Sequence, residues 1–434
     1  MQIAVHRGSK EVGGNCIEVR SGDTRIILDI GMPLFDEDRQ ALDTFTLRRK
    51  STEDLKSNGI LPNIPGLFDN DTPSPDGILL SHAHLDHTGL LNHAQDVIPI
   101  YASSGTSKMM LAGSLFAGQA ELPRERFQEI KPEAPVKIGD FMVTGYAVDH
   151  SIFGCLAFLI EAEGKRLLYS GDLRSHGRKP GMGKRLIEAL KDKPVDALLM
   201  EGTHFGFPDG NLASEYELED EITELVRTCE SLALASFSPQ HVDRLVAFIR
   251  AAKKSGRTFV ADVYTAFILY LLQHEIPLPQ PEPNGLVRVY VPQTLEQSSH
   301  RKGRAKQIER FRDAEITLEE IREAPGKYLM VFRASMLDDF ERQFPVQTAC
   351  FYSRWHGYLE QPEWRSTQQI LTNANGSLHD VHTSGHMLSK DIVSFVKAVN
   401  PTTIIPVHTF EPGHFKDHFN NVTQLQDGEL CQIE

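Results

Sequence analysis

The chain has little cysteine, no long apolar run and a shortage of positive charge, and each deficit closes off a class of protein. Its five cysteines (Cys16, Cys155, Cys229, Cys350, Cys431) are odd in number, far apart, and form no Cys-x-x-Cys pair. That argues against a disulfide framework and a thiolate zinc site, and it suits a reducing cytoplasm. No apolar stretch reaches the roughly 18 residues that a membrane span needs. Residues 1–8 lack the apolar core of a secretory signal and read as a first strand. Lysine and arginine number 45 against 59 acidic residues, a net charge of −14. Broad adhesion to nucleic acid, which depends on neutralising phosphates, is therefore not expected. Basic residues do gather at 300–306, at Lys253, Lys254 and Arg257, and around Arg174, Arg178, Lys179, Lys184 and Arg185. Such runs read as solvated surface. Bound divalent cations would change the local field, so the net charge does not exclude a polyanionic substrate. Internal repeats and low-complexity segments are also absent.

The 434 residues, 40% hydrophobic and 24% charged, suffice for two or three ordinary globular domains. Five apolar runs stop abruptly at a residue that binds metal. Gly77 to Ser81 leads into His82-Ala83-His84-Leu85-Asp86-His87, and Phe141 to Val148 leads into Asp149-His150. Arg166 to Gly171 ends at Asp172, Ala197 to Met200 at Glu201, and Thr403 to Val407 at His408. Short apolar runs rich in β-branched residues predict buried strands, and strands ending on one edge converge their terminal side chains. The run Arg25 to Ile30 likewise ends at a turn, with Asp29 and Gly31.

Residues 1–205 are strand-rich. From there the texture alternates: helix at 220–230, strand at 232–235, helix at 239–254, strand at 258–263, a helix through Leu272, and strand at 287–291. That alternation predicts an open α/β unit with a parallel sheet. The polar stretch 298–322 reads as helical or mobile. From 367 the strand-and-ligand pattern resumes, with a helix capped by Ser389 and stopped at Asn400-Pro401. The expected organisation is one metal-binding domain (1–205 and 367–434) interrupted by an α/β domain (206–366).

Three histidines and an aspartate within six residues, just after a buried strand, are hard to explain by packing. Alternate positions of an extended turn present His82 and His84 to one ion, and Asp86 and His87 to another. His150 and His408 complete the two sets, and Asp172 is placed to bridge them. Two cations about 3.5–4 Å apart can share a hydroxide and polarise an electrophile, which suits phosphodiesters, thioesters, lactones or β-lactams alike. Imidazole and carboxylate donors suit two zinc ions, with manganese as the alternative.

The motif from His82 to His87, followed by His150 and Asp172, resembles the metallo-β-lactamase superfamily. The continuation resembles its β-CASP nuclease branch, most closely the RNase J family and the cleavage-and-polyadenylation endonucleases. Three motifs carry the narrower likeness. Met200-Glu201-Gly202-Thr203-His204 is similar to the branch's acidic motif, and His382-Thr383-Ser384-Gly385-His386 to the His-x-Ser-Gly-His element of RNase J. Ile405-Pro406-Val407-His408 is similar to the final histidine motif. The likeness spans nearly the whole chain and implies an α/β fold, an αββα metallo-β-lactamase sandwich with an inserted β-CASP domain.

It also implies roles. His82, His84 and His150 would hold one divalent ion, and Asp86, His87 and His408 the other, with Asp172 between them. Glu201 and His386 would form a catalytic pair, His386 protonating the leaving oxygen; Glu201 as a carboxylate that merely orients a neighbour stays open. Ser236, Ser238, His382, Thr383, Ser384 and Gly385 would form a 5′-monophosphate pocket, aided by a helix dipole near Pro239. Two departures stand out: the sequence ends about 26 residues after His408, without the family's usual further domain, and the final motif lacks a following Gly-Glu.

The resulting expectation is a two-metal ribonuclease that cuts RNA through a metal-bound hydroxide, leaving 5′-phosphates and including 5′-to-3′ trimming. RNA is the expected partner, a membrane is not, and a homodimer is left open. RNA is favoured over DNA because His408 stands where DNA-repair members have an apolar residue. The alternatives are a small-molecule thioester or lactone hydrolase, which would not require the inserted domain, and an inactive RNA-binding scaffold, which would not retain every ligand.

Overall fold

A computed structural model describes every residue except Glu37, Pro208, Asp209, Asn211 and Glu434. The chain forms two compact units. One comprises residues 1–114, 118–211 and 385–434; the other comprises 115–117 and 212–384.

The first unit opens with β1 (Gln2–Arg7), β2 (Cys16–Ser21) and β3 (Thr24–Leu28), paired antiparallel in sequence. Parallel strands β4 (Gly77–Leu79), β5 (Ile100–Ala102) and β6 (Phe127–Glu129) extend this sheet. A second sheet follows: β7 (Pro135–Ile138), β8 (Phe141–Ala147), β9 (Leu156–Ala162), β10 (Lys165–Tyr169) and β11 (Ala197–Glu201). Strand periodicity sorts the side chains. Ile3, Val5, Ile17, Val19, Ile26 and Leu28 share a core with Val143, Phe158, Ile160, Leu167 and Leu199 of the second sheet. Ile27, Ile78 and Leu80 point the other way, under Leu47, Leu55 and Leu91. Each fully buried aliphatic side chain there contributes about 1.5–3 kcal/mol. Helices Gly181–Leu190 and Ser389–Val399 pack together on the second sheet's outer side. The result is the αββα sandwich.

The second unit is one parallel sheet of β12 (Ala233–Ser236), β13 (Thr258–Asp262), β14 (Val287–Tyr290), β15 (Tyr328–Val331), β16 (Ala349–Tyr352) and β17 (Ser377–Asp380), in the order β14-β13-β15-β12-β16-β17. The chain then returns as β18 (Thr403–Val407), parallel to β11, and β19 (Leu430–Gln432), antiparallel to β1.

Several boundaries differ from the sequence reading. The inserted unit runs to residue 384 rather than 366, because β17 pairs with β16 and not with the metal-binding sheets. Its first helix begins early, at Glu215, since Ser214 and Glu217 form a capping box that satisfies two helix-end amides. The next starts late, at Val242 with His241 as cap, which removes the helix dipole from Pro239. Ser389 is not a cap: Leu388 holds that position and the Ser389 hydroxyl donates to the His204 carbonyl at 3.0 Å. Two basic residues read as solvated are buried and bonded. Arg174 pairs with Asp149 at 2.9 Å, and Arg257 donates to the carbonyls of Ser231 and Tyr328. The stretch 298–322 is largely helical, with Ala305–Glu309 and the start of Leu318–Glu323.

Candidate metal centre

Strands β3, β4, β8, β10, β11 and β18 run in the directions that bring their final residues to one edge of the sandwich. There the backbone is forced. Asp29 and His408 have left-handed φ angles of 57° and 51°, a conformation that costs an L-residue roughly 1–2 kcal/mol and persists where surrounding bonds fix it. Gly31 admits no substitute: a Cβ would stand 1.7 Å from the Asp86 carbonyl oxygen.

Two groups of donors meet at this edge. Nδ1 of His84 lies 3.1 Å from Nε2 of both His82 and His150. In the second group Nε2 of His87 is 3.1 Å from Asp172 Oδ2, and Nε2 of His408 is 3.2 Å from Asp86 Oδ2. The same Asp172 oxygen lies 3.6, 3.7 and 3.8 Å from His82, His150 and His408. One carboxylate therefore stands between both groups, and its Oδ1 is buried with no hydrogen-bond partner among the described residues.

The outer nitrogens of four of these rings are each held by a fixed partner. His82 Nδ1 meets the Ser81 hydroxyl at 3.0 Å, and that hydroxyl donates to Asp29 at 2.7 Å. His87 Nδ1 donates to Asp29 at 2.8 Å, His150 Nδ1 to the Gly385 carbonyl at 2.5 Å, and His408 Nδ1 meets the Thr203 hydroxyl at 2.9 Å. Fixing the outer nitrogen in this way sets the tautomer of a ligating histidine. Neutral rings are favoured in the first group, His82, His84 and His150. Burial holds His82 and His150 well below the ordinary histidine value and His84 at about 4, so these rings are neutral. Burial also pushes the Asp86 and Asp172 carboxyls up, but neighbouring histidines, chiefly His408, outweigh it and hold both well down. His87 is depressed by burial yet held well above its usual value by Asp172 and Asp29. The imidazoles of His82, His84 and His150, crowded nitrogen to nitrogen beside a buried carboxylate whose Oδ1 has no partner among the described residues, are a donor set that fits divalent cations.

Glu201 and His386 stand beside the second group. His386 Nδ1 is 3.2 Å from Glu201 Oε1, 3.1 Å from the Thr203 hydroxyl and 3.8 Å from Asp172. Burial depresses His386, but Glu201 and Asp172 more than compensate and raise it to about 9. Glu201 in turn accepts the Leu173 and Thr203 amides at 3.2 Å. His386 is one-fifth exposed, whereas Glu201 is fully buried.

Of the residues expected around a terminal phosphate, Ser236, Ser238, His382, Thr383 and Ser384 belong to the inserted unit and Gly385 to the sandwich. Ser236 closes β12 with a buried hydroxyl that has no partner among the described residues. Thr383 donates its hydroxyl to Ala213 at 2.7 Å, and burial holds His382 at about 4. Gly385 serves His150 with its carbonyl, and its own Cβ would stand 2.9 Å from that ring.

Sequence reasoning missed four contributors. Asp29, whose carboxylate also accepts the Tyr169 hydroxyl at 2.7 Å, ends an apolar run just as the five recognised ligand positions do. Ser81 and Thr203 sit inside motifs already noted. Asp149 precedes a ligand and, by holding Arg174 and the Lys179 amide, orders the loop beside it.

Residues 55–209 match the β-lactamase superfamily domain. The chain is 25% identical over 385 residues to Ribonuclease J of Sinorhizobium meliloti, covering 82% of this chain and 63% of that protein. It therefore spans less than two thirds of that relative's length. Ribonuclease J of Pyrococcus abyssi is 23% identical over 432 residues, 92% of this chain and 88% of that one. A solved structure of a protein of unknown function from Enterococcus faecalis V583 shares the fold, with a TM-score of 0.77 at 21% identity over 99% of both chains. The likeness to the β-lactamase superfamily thus lies in the part of the chain that carries His82 to His87, His150 and Asp172. Over its longer span the chain is similar to proteins named Ribonuclease J.

Proposed function

We propose that this chain is a metal-dependent ribonuclease that hydrolyses RNA phosphodiesters to 5′-phosphate and 3′-hydroxyl ends. The observation that carries the reading is one carboxylate, Asp172, standing between two ligand groups, with the His386–Glu201 pair alongside. Two divalent cations, when bound, supply an activated water and polarise the phosphate. His82, His84 and His150 would hold one, Asp86, His87 and His408 the other, with Asp172 within reach of both. Zinc is the better match to these donors, with manganese the alternative.

The remaining residues position and protonate. Ser81, Asp29, Thr203 and the Gly385 carbonyl keep the ligand rings in one tautomer. His386, kept cationic near neutrality by Glu201, donates its proton to the departing 3′-oxygen. Glu201 is thus a positioning residue acting through His386. Ser236, with its unpartnered hydroxyl, and Ser238, His382, Thr383 and Ser384 receive the 5′-phosphate and direct trimming from that end. A cytoplasmic site of action suits the five unpaired cysteines.

End-labelled RNA and DNA strands of matched sequence test this. RNA is expected to be cut and DNA spared, with mononucleotide released early from 5′-monophosphate RNA. Cutting of DNA with RNA intact would overturn the polymer. Equal rates on 5′-hydroxyl, monophosphate and triphosphate RNA would overturn the phosphate pocket.

A further inference from the structure

The inserted unit's sheet carries a second cluster that neither the metal centre nor the Ser236 pocket uses. From β13 the chain steps outward to β14, whereas from β15 it crosses the other way to β16 and β17. Between these neighbouring strands the winding reverses, and open α/β sheets bind ligands in the crevice at the carboxyl ends of such a pair. A cavity of about 320 Å³ opens there, lined in part by Asp262, Tyr264, Thr294, Ser298, Arg333 and Ser335. Its size suits a small ligand.

Arg333 is held from behind. Its Nε donates to Asp262 Oδ2 at 2.5 Å, and Asp262 is itself fixed by the Thr265 amide and hydroxyl at 2.8 and 2.5 Å. The guanidinium lies 5.3 Å from the Tyr264 ring centre. Its Nη2 is buried and has no hydrogen-bond partner among the described residues. A guanidinium so braced and left one donor short is poised for an oxygen ligand. Charge points the same way. Arg354, at the end of β16, makes no ion pair among the described residues, and it is depressed by burial first and by Arg333 second. Two guanidiniums thus feel one another at this edge, and of the two only Arg333 is paired with a carboxylate among the described residues.

We propose that this cavity is a nucleotide-phosphate subsite in which Arg333 binds the phosphate of one nucleotide unit. A carboxylate ligand offers two oxygens, which a guanidinium can occupy by itself. A phosphate also offers oxygens to the hydroxyls of Thr294, Ser298 and Ser335, while Tyr264 gives a flat wall for sugar or base. None of Ser236, Ser238, His382, Thr383 or Ser384 lines the cavity. The phosphate has two sources, a free mononucleotide or a unit of an RNA strand; only the second rests on the ribonuclease reading.

Calorimetric titration of the full chain, as purified, distinguishes them with two probes: adenosine 5′-monophosphate, and a short 5′-hydroxyl oligoribonucleotide whose phosphorothioate linkages resist cutting. Arg333→Gln removes the charge, and Ser298→Phe fills the cavity without touching the Arg333–Asp262 pair. Each substitution is expected to weaken binding at least about tenfold. Weakening for the mononucleotide assigns a free nucleotide, and weakening for the oligomer alone assigns the strand. Wild-type affinity for both probes in both variants would overturn the subsite, and if Arg333→Gln does not fold, Ser298→Phe decides alone. A chain that cuts no RNA yet loses mononucleotide binding on substitution keeps the subsite and loses the ribonuclease reading.

Discussion

Replacing Asp29 with Asn isolates the orienting layer behind the metal ligands. The change is nearly isosteric, and Asn tolerates the left-handed φ of 57° found there. What it removes is an acceptor. Asp29 receives the Ser81 amide at 2.8 Å, the Ser81 hydroxyl at 2.7 Å, the Tyr169 hydroxyl at 2.7 Å and His87 Nδ1 at 2.8 Å. All four are donors. An amide NH2 put in place of either oxygen faces at least one of them, so a buried charge-assisted bond is replaced by a donor–donor contact. The expected loss of stability is about 2–3 kcal/mol. His87 also loses the partner that fixes its tautomer, for which a fall of about 10- to 100-fold in metal affinity is expected. Competition with a chelator of known strength measures that affinity, and a thermal melt reports the fold. A folded Asp29→Asn protein that binds both ions as tightly as wild type would refute the reasoning.

Three other outcomes are expected. Glu18 is fully buried; burial raises its carboxyl, but His6, Arg20 and Arg25 outweigh this and lower it from 4.5 to about 2. Because the folded value lies below the unfolded one, its stabilisation is present above about pH 4.5 and lost as pH falls toward 2, and Glu18→Gln should cost about 2 kcal/mol at pH 7 and nothing near pH 2 in denaturant titrations. Gly31→Ala puts a methyl group onto the Asp86 carbonyl, so the variant should retain less metal and melt lower; wild-type values in both would contradict the close approach. His386→Ala should lower kcat by about 10²- to 10⁴-fold while leaving metal content unchanged. Loss of metal in that variant would make His386 a ligand instead.

Much of the centre was legible in the sequence because its ligands sit at strand ends, where an apolar run gives way to a donor. The same rule marks Asp29, which follows β3, as a strand-end residue, but gives it no role, because one carboxylate after a strand carries no spacing signal of its own. The boundary at residue 384 was harder to read. Ser377 to Asp380 is a strand of the inserted sheet, while His386 only a few residues later serves the sandwich. One unbroken motif therefore belongs to both units, and which side each residue joins depends on pairing with β16, at long range. Ser389 looked like a helix cap because the cap preference is local, whereas its partner, the His204 carbonyl, comes from a distant segment. The orphaned Nη2 of Arg333 depends on packing and leaves no trace in composition.

Metal content tests the central claim most directly. Protein purified without chelator should carry two divalent ions per chain by inductively coupled plasma mass spectrometry, and Asp172→Ala, which removes the one carboxylate between both groups, should carry at most one. A wild-type chain without metal, or a folded Asp172→Ala chain that still holds two, would contradict it.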